Sequence, residues 1–257
     1  MTIVQFIALF LCAFGASVFG SVVGLGGGFV MTPILRVFFF VAPVLASTAS
    51  LFLVFCNTAA ASFGFMKDKK VDFQLALFLA AGAIPGSIIG VLASHQVTIA
   101  QFDIIYGVLL IFLAVATMRR RGVASRPPGE PTFLHKPVFA LSAGIVMGIA
   151  SSLFGVGGGI IVVPLMLIAA RMPPHIAAAT SSFVILLSAP VGIIAHVVAG
   201  DADWALIAPL ALGGLAGGSF GPPIAKRISS PMLINLVIAA FIIGAIGLIL
   251  KHVPFHH

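Results

Sequence analysis

Gly24-Leu25-Gly26-Gly27-Gly28-Phe29-Val30-Met31-Thr32-Pro33 and Gly155-Val156-Gly157-Gly158-Gly159-Ile160-Ile161-Val162-Val163-Pro164 are two copies of one pattern, G-x-G-G-G-x4-P. They stand 131 residues apart, as Gly155 does to Gly24, and the match runs on in both directions without a gap. Ser21 meets Ser152, Pro43 meets Pro174, Ser50 meets Ser181, Phe52 meets Phe183, and Asp72 meets Asp203. Gly82, Gly86 and Gly90 meet Gly213, Gly217 and Gly221. A fixed offset kept over so many positions is the mark of an internal duplication.

Around these cores the composition sets the class. Of 257 residues, 13 are Lys or Arg and 6 are Asp or Glu, so 7% of the chain is charged and 61% is apolar. A soluble domain carries about 25% charge, and this chain has too little to cover a water-exposed surface. A soluble enzyme, a disordered tail and a disulfide-stapled secreted domain are excluded; a polytopic all-α membrane protein is expected. Cys12 and Cys56 lie in apolar runs without metal-ligand spacing and read as small hydrophobes. Neither a cofactor nor a metal site is expected.

Each copy holds the same succession of segments. In the first, an apolar run over 3–22 leads to the glycine break at 24–28 and a short apolar piece to about residue 40. Three span-length stretches follow at 44–66, 73–94 and 100–118. The second copy repeats this as 137–154, the break at 155–159, a short piece to 170, then 175–199, 203–225 and 230–250. The chain thus divides into a membrane repeat at 1–118, a basic linker at 119–136 and a second membrane repeat at 137–257. Each repeat is a Gly-broken helix pair or re-entrant hairpin plus three transmembrane helices. Within the spans, Pro190 is expected to break its helix, Pro85 to kink its own, and Pro222 and Pro223 to disturb the end of theirs.

Basic residues orient these spans. They cluster in short connections: Lys67, Lys69 and Lys70; Arg119, Arg120, Arg121 and Arg126; Lys226 and Arg227. No basic face with interleaved aromatics exists, so nucleic acid is not a partner. If each repeat crosses four times, 9 of the 13 basic residues fall on one side. If each break turns the chain back, the crossings become odd, the halves are inverted, and 11 of the 13 share a side. The positive-inside rule favours inversion, with the linker cytoplasmic, both termini outside and the chain in the cell membrane.

Three consecutive glycines cost roughly 1 kcal/mol each against alanine in a helix. The backbone groups they free must find partners or line a cavity. Paired breaks in inverted halves are a recurring arrangement at transporter sites, where short helices aim their positive N-termini at an anion. The bland reading is close packing or a plain turn.

The G-x-G-G-G-x4-P pair, one near the start of each half and joined by a basic central loop, resembles the TauE/SafE sulfite exporter family (TSUP). The resemblance covers essentially the whole chain. It implies a secondary transporter, an exporter in type, for sulfite, sulfoacetate and other organosulfonates, or thiosulfate, working by alternating access. On the residues themselves, no span carries a central Lys or Arg, so a bound anion would rest on backbone amides and neutral donors. The candidate binding residues are Gly24, Gly26, Gly27, Gly28, Thr48, Ser50 and Asn57 in the first copy. In the second they are Gly155, Gly157, Gly158, Gly159, Thr180 and Ser181; Ser47 in the first copy and Ser182 and Ser188 in the second lie beside them. Serine and threonine also serve as glue between membrane helices or bond back to their own backbone.

Other polar residues read structurally. Gly82, Gly86, Gly90 and their counterparts are small-residue helix contacts. Asp72, Asp103 and Asp203 fall at span ends, as caps do. His196, inside a span near its outer end, reads as a structural histidine first and a proton sensor second. The lipid bilayer is a partner, and a homodimer is compatible with the sequence. The alternative functions are an anion channel on the same scaffold and, remotely, an intramembrane serine hydrolase with Ser17 of Gly15-Ala-Ser17 and His196 as its base.

Overall fold

A computed structural model describes residues 2–68, 70–119, 125, 127 and 132–250. Lys69, Arg120, Arg121 and Arg126, cited above for charge, lie outside them, as does the chain from Lys251 on. Eleven α-helices make up the described chain: α1 (Ile3–Val23), α2 (Gly28–Val37), α3 (Pro43–Lys67), α4 (Phe73–Ser94), α5 (Ile99–Met118), α6 (Pro137–Phe154), α7 (Gly159–Ile168), α8 (Pro174–Val198), α9 (Trp204–Gly218), α10 (Gly221–Ala225) and α11 (Ser230–Leu250). Among the described residues seven of them are long and apolar enough to cross a membrane. Phe112 and Ile243, 66% and 70% exposed, illustrate the apolar exterior, which hydrocarbon tolerates and water does not.

The duplication is visible helix by helix. α2 and α7 are each 10 residues long, and α3 and α8 are each 25, with both ends at the same offset. α4 is continuous over 22 residues, but its counterpart is split into α9 and α10. Pro222 and Pro223 stand at that split, where a proline ring crowds the carbonyl four residues back. Pro190 does not break its helix: α8 continues through it to Val198. Proline is tolerated in membrane helices because packed neighbours compensate the lost bond, and α8 lies between α3 and α4.

Glycine contacts fix the directions of the helices. On α4, Gly82, Gly86 and Gly90 lie against the backbones of Leu141, Ile145 and Ile149 on α6. On α9 and α10, Gly213, Gly217 and Gly221 lie against Phe10, Phe14 and Ser21 of α1, while Gly214 and Gly218 lie against Leu53 and Asn57 of α3. Every series steps forward in both partners, so α4 runs parallel to α6, and α1, α3 and α9 run parallel to one another. Polar contacts at the helix ends agree: Lys226 Nζ is 2.8 Å from Asp68 Oδ1, and His135 Nε2 is 2.8 Å from Asp72 Oδ2. His95 at the end of α4 is 3.1 Å from Asp201 beyond the end of α8, so α8 joins the α4 direction. Ser47 at the start of α3 donates to the Leu153 carbonyl at the end of α6, 2.8 Å away, so α3 runs against α6.

The paired G-xxx-G-xxx-G stripes are therefore packing surfaces. At Gly86 a β-carbon would strike the Ile145 carbonyl, which is backbone and cannot move aside. At Gly15 nothing lies within 4 Å. Gly86→Leu should cost about 2–3 kcal/mol through overpacking, while Gly15→Ala should gain up to about 1 kcal/mol of helix propensity. Thermal unfolding of the two variants in detergent reads the opposite shifts.

Candidate functional site: the paired glycine breaks

At the first break α1 ends on Gly24 in the left-handed region, φ 76°, and Gly26 and Gly27 follow at 81° and 82°. At the second, Gly155, Gly157 and Gly158 repeat this at 70°, 71° and 75°. Any residue with a β-carbon pays about 1–2 kcal/mol for that conformation. The amides of Leu25 and Gly26 turn back to the Gly20 carbonyl, at 2.9 and 3.3 Å. Gly155 and Val156 do the same onto Ser151, at 2.9 and 3.2 Å.

The short helices then start without a side-chain cap, on Gly27 and on Gly158. Their first carbonyls accept from Val30 and Met31 and from Ile161 and Val162. Among the described residues the amides of Gly28 and Phe29, and of Gly159 and Ile160, donate to no backbone carbonyl. Each break thus presents unpaired amides at the positive end of a helix.

The two breaks touch. Gly28 lies against the Gly155 carbonyl and the Val156 Cα, and Gly159 lies against the Gly24 carbonyl and the Leu25 Cα. Val54 of α3 packs on Gly26, Gly28 and Gly157, and Ile185 of α8 packs on Gly157 and Gly159. Val54 and Ile185 are equivalent by the 131-residue offset. An aliphatic pair therefore closes the junction from both halves. Nothing in the sequence marks these two residues except their register with the polar positions one turn away.

Those polar positions share the face. Ser47, Ser50 and Val54 follow the i, i+3, i+7 spacing of one helix stripe, as do Ala178, Ser181 and Ile185. Ser47 lies against Gly155 and Ala178 against Gly24, so the stripe faces the breaks. Ser50 Oγ and Ser181 Oγ are buried and bond to no described group; so are Ser188 Oγ and Asn57 Oδ1, a second equivalent pair. Asn57 Nδ2 donates to the Ser17 carbonyl, 2.7 Å away, beside Gly27.

The remaining expected donors are committed elsewhere. Thr48 Oγ1 donates to Val44 O at 2.8 Å, and Ser182 Oγ donates to Ala178 O at 2.9 Å. Thr180 Oγ1 accepts the Asp72 amide at 3.0 Å, at the start of α4.

Asp72 and Asp203 cap α4 and α9 as expected, accepting from Leu75 and from Ala205 and Leu206. Asp103 does not cap. Thr98 and Gln101 form a capping box at the start of α5, and that leaves the Asp103 carboxylate for a buried pair. Arg36 donates to it twice, Nε to Oδ1 at 2.9 Å and Nη2 to Oδ2 at 2.7 Å, and Nη1 donates to Val41 O at 2.6 Å. This ties the end of α2 to α5 by a bidentate fork. The signal was present in the sequence as one lone base and one lone acid near the ends of apolar segments. The equivalent positions hold Leu167 and Ile234.

His196 offers Ser17 no base. Its ring nitrogens lie 2.8 Å from Asp201 Oδ2 and 3.0 Å from Ser152 O, so the hydrolase pairing is not formed.

Comparison with known proteins bears on the site as a whole. The sequence model of the family "Sulfite exporter TauE/SafE" matches residues 9–248. A "Probable membrane transporter protein YunE" of Bacillus subtilis is 28% identical over 264 residues, covering 93% of this chain and 96% of its own. "Probable membrane transporter" proteins of Methanocaldococcus jannaschii and Haemophilus influenzae are 28% and 30% identical, each over 59% of this chain and over 58% and 57% of their own lengths. No solved structure matches the chain.

Removing one member of the Arg36–Asp103 pair leaves a buried charge, a cost of about 3–5 kcal/mol. Arg36→Leu and Asp103→Ile should each destabilise strongly. The double variant, which copies the second half, should recover most of the loss. A double-mutant cycle of thermal stabilities reads this coupling.

Proposed function

Because the chain belongs to the sulfite exporter TauE/SafE family, we propose that this multi-pass membrane transporter moves a small sulfur-containing anion, such as sulfite or an organosulfonate, by alternating access of two inverted halves. One observation carries the reading. Two glycine breaks, each with unpaired amides, meet at a junction flanked by the equivalent buried hydroxyls of Ser50 and Ser181. An oxyanion supplies the acceptors that these donors lack. Helix N-termini add a favourable field without a fixed full charge. Arg36 is already engaged by Asp103, so affinity stays modest and release remains feasible.

Inversion is supported by the directions of equivalent helices, since α1 runs with α3 and α9 while its counterpart α6 runs with α4 and α8. With α1 and α3 parallel, the intervening α2 returns, as a re-entrant hairpin would. The same directions gather Lys67, Lys70, Arg119, Lys136, Arg171, Lys226 and Arg227 at one face, which the positive-inside rule makes cytoplasmic. The start of α1 and the end of α11 then lie outside, and the membrane of this reading is the plasma membrane.

Direct contact between the breaks favours a carrier over an open channel. Val54 and Ile185 must part before an ion passes, so the route is shut in this conformation.

Sulfite and sulfonate flux into proteoliposomes tests the proposal, and no flux of any such anion would overturn it. Ser50→Ala and Ser181→Ala should each weaken apparent affinity about ten- to a hundredfold, since one hydrogen bond to a charged group is worth about 1.5–3 kcal/mol. Neither change should alter thermal stability much, because neither hydroxyl bonds to the protein.

A further inference from the structure

Resting on that transport reading, we propose that His95, Asp201 and His196 form a proton-binding relay that makes anion movement depend on protonation from the face where His95 lies. The three groups form one line from the surface inward. His95 is 40% exposed in its side chain, Asp201 is 10% exposed, and His196 is 0% exposed. Asp201 Oδ2 is shared: His95 Nε2 lies 3.1 Å away and His196 Nδ1 lies 2.8 Å away. On its far side His196 Nε2 is 3.0 Å from the Ser152 carbonyl, near the end of α6.

Hydrogen-bond chemistry sets the proton count. A carbonyl only accepts, so Nε2 carries a proton. The line between Nδ1 and Oδ2 needs a second proton, whether it sits on the imidazole or on the carboxyl group. The pair therefore holds one proton more than a neutral histidine beside an ionised aspartate. When that proton leaves, by way of Asp201 to His95 and then to water, the remaining one cannot serve both acceptors. His196 must then release either Asp201 or Ser152.

Release at Ser152 acts directly on the site. Ser151, its neighbour, accepts the Gly155 and Val156 amides that shape the second break. The remaining proton bonds more strongly to the Asp201 carboxylate than to a neutral carbonyl, so proton loss frees the end of α6 from α8 beside the break, and proton uptake restores the tie. The arrangement exists once per chain: Phe65, Lys70 and Lys226 occupy the positions equivalent to His196, Asp201 and His95.

No other ionisable group competes for His196 in the helices around it. α6, α7 and α11 contain none, α4 contributes only the adjacent His95, and α1 contains only Cys12. α3 carries Cys56 and Lys67, both beyond its midpoint, and presents Leu51 where Gly192 and Ser152 meet. Asp203 is engaged as the cap of α9.

The test compares sulfite flux in proteoliposomes with and without an imposed pH gradient, for the wild type, His196→Gln, Asp201→Asn and His95→Ala. All four see the same sulfite speciation, so only differences between them are read. The wild type should respond about tenfold, a ratio that corresponds to about 1.4 kcal/mol of coupling. His196→Gln and Asp201→Asn should bring the ratio close to one. His95→Ala, at the exposed rim and safe for folding, should lower it severalfold. A wild-type ratio of one with measurable flux, or an unchanged ratio in Asp201→Asn and His95→Ala, overturns the coupling while leaving the transport reading intact.

If no sulfur anion moves at all, the transport reading fails and the proton site is read alone by 15N-histidine NMR of the purified chain. The relay requires a His196 ring signal that carries two protons in the closed form, loses one on raising the pH, and changes in Asp201→Asn. A signal that does not titrate and is indifferent to Asp201 overturns it.

Discussion

The structure depends on breaking and turning a backbone between apolar helices. Each reversal exposes amides and carbonyls that lipid cannot satisfy, and it uses φ values that only glycine adopts cheaply. Gly24, Gly26 and Gly27 meet both demands, as do Gly155, Gly157 and Gly158. Once α1 has turned at the first break, α3 follows α1 in direction, and the same step in the second half sends α8 along α6. The cross-half packing of α4 on α6 and of α1 on α9 depends on those directions.

That packing mixes the halves. One tight group is α1, α3 and α9; the other is α4, α6 and α8; they meet along α3 and α8. Each group draws helices from both repeats, so neither repeat is a self-contained body. The glycine stripes make the α4–α6, α1–α9 and α3–α9 contacts backbone-close, and such contacts are hard to slide. The seam between groups carries Val54, Ile185 and the unbonded hydroxyls of Ser50 and Ser181. It is also backbone-close where Gly155 meets Ser47 and Gly24 meets Ala178, and the Ser47 hydroxyl crosses it to the Leu153 carbonyl. Parting the two breaks must undo these contacts.

The helices and the duplication were legible because hydrophobic runs and glycine spacing are properties of the chain alone. The span 73–94 and the break at 155–159 needed no tertiary information. Side-chain commitments did. Thr48 and Thr180 resemble Ser50 and Ser181 in sequence, yet the first two are taken by Val44 O and the Asp72 amide. Asp103 stands where a cap could stand, but Thr98 fills that role, and only the fold brings Arg36 to it. The aliphatic pair Val54 and Ile185 was invisible because nothing distinguishes one buried aliphatic residue from its neighbours until the backbone facing it is known.

Duplicated positions that stay alike build the breaks, the glycine stripes and the Asp72 and Asp203 caps, whereas most other charged positions diverge. The clearest divergence is at the helix ends. On one face Lys226 pairs with Asp68 across α10 and α3; on the other His95, the position equivalent to Lys226, pairs with Asp201 across α4 and α8. Lysine keeps its proton through the physiological range, whereas histidine changes charge within it. The two clasps thus differ in chemistry, an ammonium on one face and on the other an imidazole that is charged only when protonated. Only the second continues inward, through His196, to the carbonyl beside a glycine break. A symmetric scaffold has no intrinsic reason to prefer one face; a clasp that opens with proton loss on a single face supplies one.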